Sequence, residues 1–413
     1  MKKAGGRINR PSFAIAVVAA LAAIGVAAVL ATAAGNAPAS LSTKTAAQPV
    51  GLSAVPTALQ KYYKGFQYFL KMYPNPYANW TPPAPPWKFC YNDSYIGNLW
   101  RQESLATYKK LVGQLTEEGL AKGGLSVTES NNNANLQLSQ LQTQIRSGCN
   151  VIISIPGTPT GLNSAIATAR QKGILFIADE AAVTSPDAIN VTFNDYYAQQ
   201  QLDEWLFKEM GGKGNVIDVL GIPGETQTVA SIAANKAELA KYPGIKNLGD
   251  IYGNWTSSIV TEKVIQFLAT HPQKVDGIID AGASSLAAEQ GLQQAGRPLA
   301  KTANYSGECA FLSFWKQNNL DTIAQSQGGA PALYESLHVA LRMLAGQKPA
   351  VNSILYPLPV VTKATFNQYY KPSMNLQSTC YANPRSGKAV PDAFMNGLFK
   401  GGHPVTAKLK PAA

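Results

Sequence analysis

Histidine is scarce in this chain of 413 residues. There are three, His271, His338 and His403, and none lies within ten residues of another. That spacing argues against a His-rich metal site and leaves few candidates for the base of a His-dependent triad. Charged residues make up only 14% of the chain. The formal net charge is +11, but Lys2, Lys3, Arg7 and Arg10 supply four of those charges, leaving near +7 over the remainder. No dense Lys/Arg run occurs, so a nucleic-acid footprint is not indicated. A Gly-x-Ser-x-Gly elbow, a His-Glu-x-x-His helix and a Gly-rich phosphate loop are all missing, which removes the usual parts of a hydrolase or nucleotide site. A mean hydropathy of −0.08 excludes a multi-span membrane protein. Glycine (35) and proline (26) are near average usage, so collagen-like and wholly disordered readings fall away. What remains is a globular chain, 46% hydrophobic, long enough for roughly two or three domains.

The N-terminus has the layout of a secretory signal peptide. The four basic residues precede 13–30, eighteen residues drawn only from Ala, Val, Ile, Leu, Gly and Phe, and Ala31-Thr32-Ala33 follows. Residues 1–34 are therefore expected to be removed on export. A retained anchor is the alternative, because eighteen apolar residues just reach spanning length. The four cysteines, Cys90, Cys149, Cys309 and Cys380, all lie far from the cleavage point, which excludes a lipid anchor on an N-terminal Cys. In an oxidising compartment four cysteines can form two disulfides in three connectivities, or remain buried thiols.

Residues 35–86 read as a leader. It begins with Ala, Ser, Thr and Pro, and 57–80 is rich in Tyr, Phe and Trp. Apolar spacing over 59–69 predicts a helix, packed on the outside of the domain or used for docking. Residues 81–86 form a stiff proline-rich spacer. From Trp87 onward strands alternate with helices. Strands are predicted at 87–91, 125–129, 151–155 and 174–178, with helices at 99–118, 134–147 and 161–172. After Asn194 the pattern resumes, with helices at 197–210, 228–241, 257–271 and 284–295 and strands at 215–220, 245–252 and 277–280. Two such series predict an α/β chain of two doubly wound parallel-sheet lobes with right-handed crossovers. Ligands of such folds gather at the carboxyl ends of the strands. Those ends carry Asn92 to Arg101, Ser130 to Asn133, Asp179-Glu180, Gly221 to Glu225, Asn254-Trp255 and Asp280 to Gly282. Amides, hydroxyls, carboxylates and two Trp suit carbohydrate, whose hydroxyls pair with the polar groups while an indole covers the C–H face.

Several runs carry a resemblance. Val127 to Asn133, Gln140 to Ile153, Ala178-Asp179 and Ala269 to Ile279 resemble successive strand and helix passages of the type I periplasmic substrate-binding proteins of sugar ABC transporters, the ribose-binding-protein family. Ser94-Tyr95-Ile96-Gly97-Asn98-Leu99-Trp100-Arg101 is similar to the first-strand loop of one subgroup. The likeness covers about 260 residues, from Trp87 to about Pro349. It implies the type I periplasmic binding protein fold with a three-crossover hinge, near Asn194, Gln327 and Tyr356. The first lobe would hold 85–193 and 328–354, and the second 194–327 and 355–400.

The resemblance also implies a site. Ser94, Tyr95 and Asn98 would meet the ligand, and Trp100 and Trp255 would stack on it from opposite lobes. Asp179 would take two hydroxyls and be the most important polar contact. Arg101 would touch ligand or hold Asp179. Glu180 stands where ribose binders place Arg, so ribose itself is disfavoured. Asp280, Glu308 and Gln325 complete the expected set. Asp179 and Asn98 could instead be helix caps, and either Trp could be a packing residue. Cys309–Cys380 would clip the C-terminal segment to its lobe, and Cys90–Cys149 would join neighbouring strands. The implied function is capture of a small polar ligand, most simply a sugar, in the periplasm and its delivery to an ABC permease. The protein is expected to be a monomer without enzyme activity, cofactor or metal. An exported sensor with the same fold is the alternative. A hydrolase is disfavoured because Asp179 and Glu180 are adjacent and point apart, and a sugar-responsive repressor because a signal peptide occupies the DNA-binding position.

Overall fold

A computed structural model describes residues 47–411. The expected export segment, 1–34, and the first part of the leader lie outside the described residues.

The described chain builds two parallel sheets. The first contains β1 (Phe89–Asp93), β2 (Ser126–Glu129), β3 (Val151–Ile155), β4 (Leu175–Asp179) and β5 (Ile189–Phe193). Its connecting helices are α1 (Leu99–Glu117), α2 (Ala134–Arg146) and α3 (Asn163–Gln171). After β5 come α4 (Asp195–Glu209), β6 (Lys213–Leu220), α5 (Thr226–Leu239), β7 (Gly244–Tyr252) and α6 (Ser257–Thr270). They are followed by β8 (Gly277–Asp280), α7 (Ser285–Gln294), β9 (Lys301–Ala303), α8 (Cys309–Asn318) and β10 (Ala324–Gln325). The chain then runs through α9 (Gly329–Leu344), β11 (Lys348–Pro349), β12 (Ser353–Tyr356), β13 (Val360–Val361), α10 (Phe366–Tyr369), α11 (Asp392–Leu398) and β14 (Phe399–Lys400). The first sheet has the order β12-β5-β4-β3-β1-β2 and the second β7-β6-β8-β9, parallel throughout. The doubly wound reading of the sequence therefore holds.

Alternation along the strands decides which layer each residue joins. Leu175 and Ile177 of β4 pack with Leu333 and Leu337 of α9 and Leu111 of α1. Phe176 and Ala178 face the other way, onto Leu141 of α2 and Ile166 of α3. With both faces covered, the central strands read as continuous apolar runs. The helices start where short polar side chains replace missing backbone acceptors. Asn98, Asn133 and Asn194 each accept a hydrogen bond from the backbone N–H three residues on, opening α1, α2 and α4.

Both expected cysteine pairs are bonded, Cys90–Cys149 and Cys309–Cys380, with Cα separations of 6.1 and 5.4 Å. The second ties the segment before Tyr381 to the start of α8.

Two expectations are corrected. Residues 59–69 do not form an α-helix. They fold as short 3-10 turns, Thr57–Tyr63 and Phe66–Tyr68, broken at Gly65. Gly65 sits at φ +78°, and a Cβ there would come within 2.0 Å of the Tyr196 ring, so the chain must turn where it meets α4. The segment is a strap. The Tyr63 hydroxyl donates to Ser353 O of β12 (2.8 Å), the Asn194 amide donates to Tyr62 O and Lys64 O (2.9 and 2.8 Å), and Tyr68 stacks on Tyr196 (4.7 Å). The second correction concerns 388–400, expected in the second lobe. These residues pack on the first. The β14 strand pairs with β11, Arg342 of α9 donates to Asn396, and Val390 N donates to Glu335. The apolar face of α11 (Phe394, Met395, Leu398) finds its core partners in the first lobe, which draws the chain back across.

Candidate functional site

A cavity of about 450 Å³ opens between the carboxyl ends of the two sheets. Its first-lobe wall is built by the loop after β1. Asn98 caps α1 through Arg101 N (2.9 Å), which sets Trp100 and Arg101 in the first helical turn. The Arg101 guanidinium lies buried. Its Nη1 donates to Asp93 Oδ1 at 2.6 Å and Ser94 Oγ at 3.2 Å, and Nη2 lies 3.6 Å from Glu180 Oε2. Trp100 donates from Nε1 to the backbone O of Gln327 (3.1 Å), fixing the indole against a passage between the lobes while it lines the cavity.

The second-lobe wall is set mainly by backbone. Trp255 has φ +51°, a strained conformation for a large side chain. Its Nε1 donates to Ala281 O (3.1 Å), and its ring lies on Gly221, where a Cβ would come within 2.1 Å. Gln227 enters the cavity from the first turn of α5, which Glu225 caps through Gln227 N (2.8 Å). Glu308, just before α8, lines the cavity and accepts from Asn304 Nδ2 at 2.9 Å.

Electrostatically the site is acid-rich around one cation. Burial works against the Arg101 charge, but the Asp93 and Glu180 carboxylates more than offset it and hold the guanidinium above its ordinary value. Burial raises Asp93, with Arg101 opposing. Glu180 is pushed well up by burial and then by the Glu225 charge across the cleft, again against Arg101. Glu308 rises to about 7 through burial and the neighbouring Asp280. Glu180 Oε2 and Glu225 Oε1 are buried without a hydrogen-bond partner. Such acceptors are costly alone, and Glu180, which lines the cavity, is placed to take a hydroxyl donor from a ligand, whereas Glu225 is not among the lining residues.

Of the residues singled out in the sequence, Tyr95, Asn98, Trp100, Arg101, Glu180, Trp255 and Glu308 line this one cavity. Ser94 instead lines a second compartment of about 370 Å³, which shares Tyr95 and Thr256 with the first. Three residues are placed elsewhere. Asp179 is fully buried and accepts from Ser336 Oγ of α9 at 2.6 Å. Strand parity puts it on the face of Leu175 and Ile177, which α9 covers, so Glu180, at φ +59°, turns into the cavity in its place. Asp280 accepts from Gly282 N, Ser284 N, Ser285 N, Asn304 Nδ2 and Tyr305 N, and so knits the loop after β8. Gln325 donates to Ala198 O (2.9 Å) within the β10–α4 contact.

Sequence reasoning missed Asp93, Gln227 and the lining stretch 376–381. Asp93 is the last residue of β1, and Gln227 follows the run Gly221 to Glu225 by two residues, so strand-end position was an available signal for both. Residues 376–381 follow no strand–helix pattern, and only Cys380 marks them. Among the described residues no group of three or more His, Cys, Asp or Glu is placed to hold a metal ion.

Residues 94–348 match the family described as the periplasmic binding protein domain. A xylitol-binding protein of Mycolicibacterium smegmatis is 30% identical over 240 residues, covering 57% of this chain and 67% of that protein. An ABC transporter solute binding protein from Thermobispora bispora DSM 43833 superposes with a TM-score of 0.64 at 23% identity, over 70% of this chain and 90% of that one. Another, from Bacillus halodurans C-125 with bound myo-inositol, gives 0.59 at 17% identity, over 70% and 99%. At these identities the two structures speak for the fold.

Proposed function

We propose that this chain, which belongs to the periplasmic binding protein family, captures a small polyol or neutral sugar between its lobes and delivers it to an ABC importer. Members of this family bind substrate rather than transform it, and the protein is not an enzyme. The observation that carries the reading is the pairing of Trp100 and Trp255 on one cavity of about 450 Å³, together with Arg101, Glu180, Gln227 and Glu308. That volume suits a small molecule. Both indole N–H groups are spent on backbone carbonyls, so what the rings offer a ligand is apolar face, and the carboxylates offer acceptors. The xylitol-binding relative supports a polyol over a pyranose-only site.

In mechanism, ligand first bound to one wall recruits the other. The closed state gains by its differential affinity, and the joined lobe surfaces are what a permease reads. Membership of this family supports export to the periplasm, and we read 1–34 as the segment that directs it and the mature protein as a monomer. Differential scanning fluorimetry of the mature protein against xylitol, myo-inositol, D-allose, amino acids and aromatic acids tests the reading. A polyol or sugar should raise the melting temperature by mass action and change tryptophan emission. A shift confined to amino or aromatic acids would sink it.

A further inference from the structure

We infer that residues 376–381 are a specificity-determining wall of the ligand cavity, and that the Cys309–Cys380 disulfide holds this wall in register. The inference rests on the reading of the cavity as a polyol or sugar site. The stretch lies beyond residues 94–348, the part that matches the family. Leu376, Gln377, Ser378, Thr379 and Tyr381 nevertheless line the cavity directly.

The wall is a built structure. The Asn375 side chain accepts from Gln377 N (2.8 Å), and Asn375 N donates to Ser378 Oγ (2.9 Å). At its end Cys309 N donates to Cys380 O (2.8 Å), Ala382 N donates to Gly307 O (2.8 Å), and Tyr381 bridges to Glu308. Glu308 itself lines the cavity, so the clip and a polar group of the site share one backbone junction.

Behind the wall lies another cavity, of about 370 Å³, which Ser378, Thr379 and Tyr381 also line, beside both cysteines and Glu103. The wall is therefore a partition with open volume on both sides. Packing holds it only at Tyr381, which is buried in the core, whereas Gln377, Thr379 and Cys380 are exposed and lack the dense contacts that fix a core residue. The covalent tie to α8 and the Asn383–Glu103 hydrogen bond (2.7 Å) hold it instead. A fixed partition limits ligand length at this end. A loosened one retreats into the rear cavity, costing contacts to a compact ligand and admitting a longer one.

The test compares xylitol with maltitol, a polyol bearing an extra glucosyl unit. Isothermal titration is run on the wild type, on Cys309→Ser/Cys380→Ser, and on Gln377→Ala/Thr379→Ala, which keeps the disulfide. The wild type should prefer xylitol, and in both variants that preference should shrink at least tenfold. If the serine variant does not fold, the alanine variant decides alone. An unchanged preference in either folded variant overturns the wall. A wild type that binds none of xylitol, myo-inositol and D-allose overturns the underlying reading of the site, which a wall failure by itself leaves standing.

Discussion

The two walls of the cavity reach similar chemistry by different means. In the first lobe, side chains position one another: Asp93 and Ser94 hold Arg101, Asn98 caps the turn that carries it, and Glu180 approaches the same guanidinium. In the second lobe, backbone does the positioning. Trp255 is placed by its positive φ and a glycine beneath its ring, and Gln227 by the capped start of α5. A wall made of paired buried charges fails as a unit when one member is lost. A wall made of backbone geometry should lose only the contact that is removed.

The largest expected effect follows from the first wall. Arg101→Met leaves Asp93 buried without its cation and should cost about 3–5 kcal/mol of stability together with ligand binding. Thermal melts with titration check both. A variant that keeps its melting temperature would show the charge network to be dispensable and erase the contrast. Next come the tryptophans. Trp100→Ala and Trp255→Ala should each weaken binding by about 1–3 kcal/mol, the worth of a buried aromatic contact. Each substitution frees one backbone carbonyl, Ala281 O or Gln327 O, but Trp255→Ala should leave the rest of its wall in place, whereas Trp100 is the more buried ring and its carbonyl lies at a passage between the lobes, so Trp100→Ala should lower the melting temperature further. Equal losses of stability would blur the distinction.

The smallest effect separates two adjacent carboxyls. Burial raises Asp179 to about 7, against the Ser336 hydrogen bond and Arg101. In the unfolded chain it titrates near 3.8, so the folded state holds the proton more tightly. Its contribution to stability is present in full below about pH 4 and is lost as pH rises through 7. Asp179→Asn should flatten that part of the melting-temperature profile between pH 4 and 8 and leave affinity within about threefold. Glu180→Gln should weaken binding instead. A large loss of affinity in Asp179→Asn would return Asp179 to the site.

This pair also shows where sequence reading stopped. The parallel sheets were legible because β-branched runs alternate with amphipathic helices, and the first wall was legible because Tyr95 to Arg101 are consecutive. Asp179 was misplaced because a strand-end carboxylate faces either ligand or core according to parity, and the helix that claims it, α9, begins 150 residues later. Gly65 undid the helix predicted over 59–69, since its left-handed turn is dictated by Tyr196 on a distant element. The 376–381 wall has no periodicity to read. Its place depends on a disulfide partner rather than on a local pattern.

The N-terminal strap and the return of 388–400 change what the hinge can do. The chain passes between lobes at 194, 326–328, 357–359 and again after Asn383, and Asn194 is additionally bonded to the strap at Tyr62 and Lys64. Two plates joined at a single point can fold, twist and slide. Joined at several points along a line, with one of them braced from behind, they keep the folding motion and lose most of the others. In the closure proposed above, each approach of Trp255 toward Trp100 would then follow nearly the same arc, with little closing time spent on mismatched pairings of the two walls.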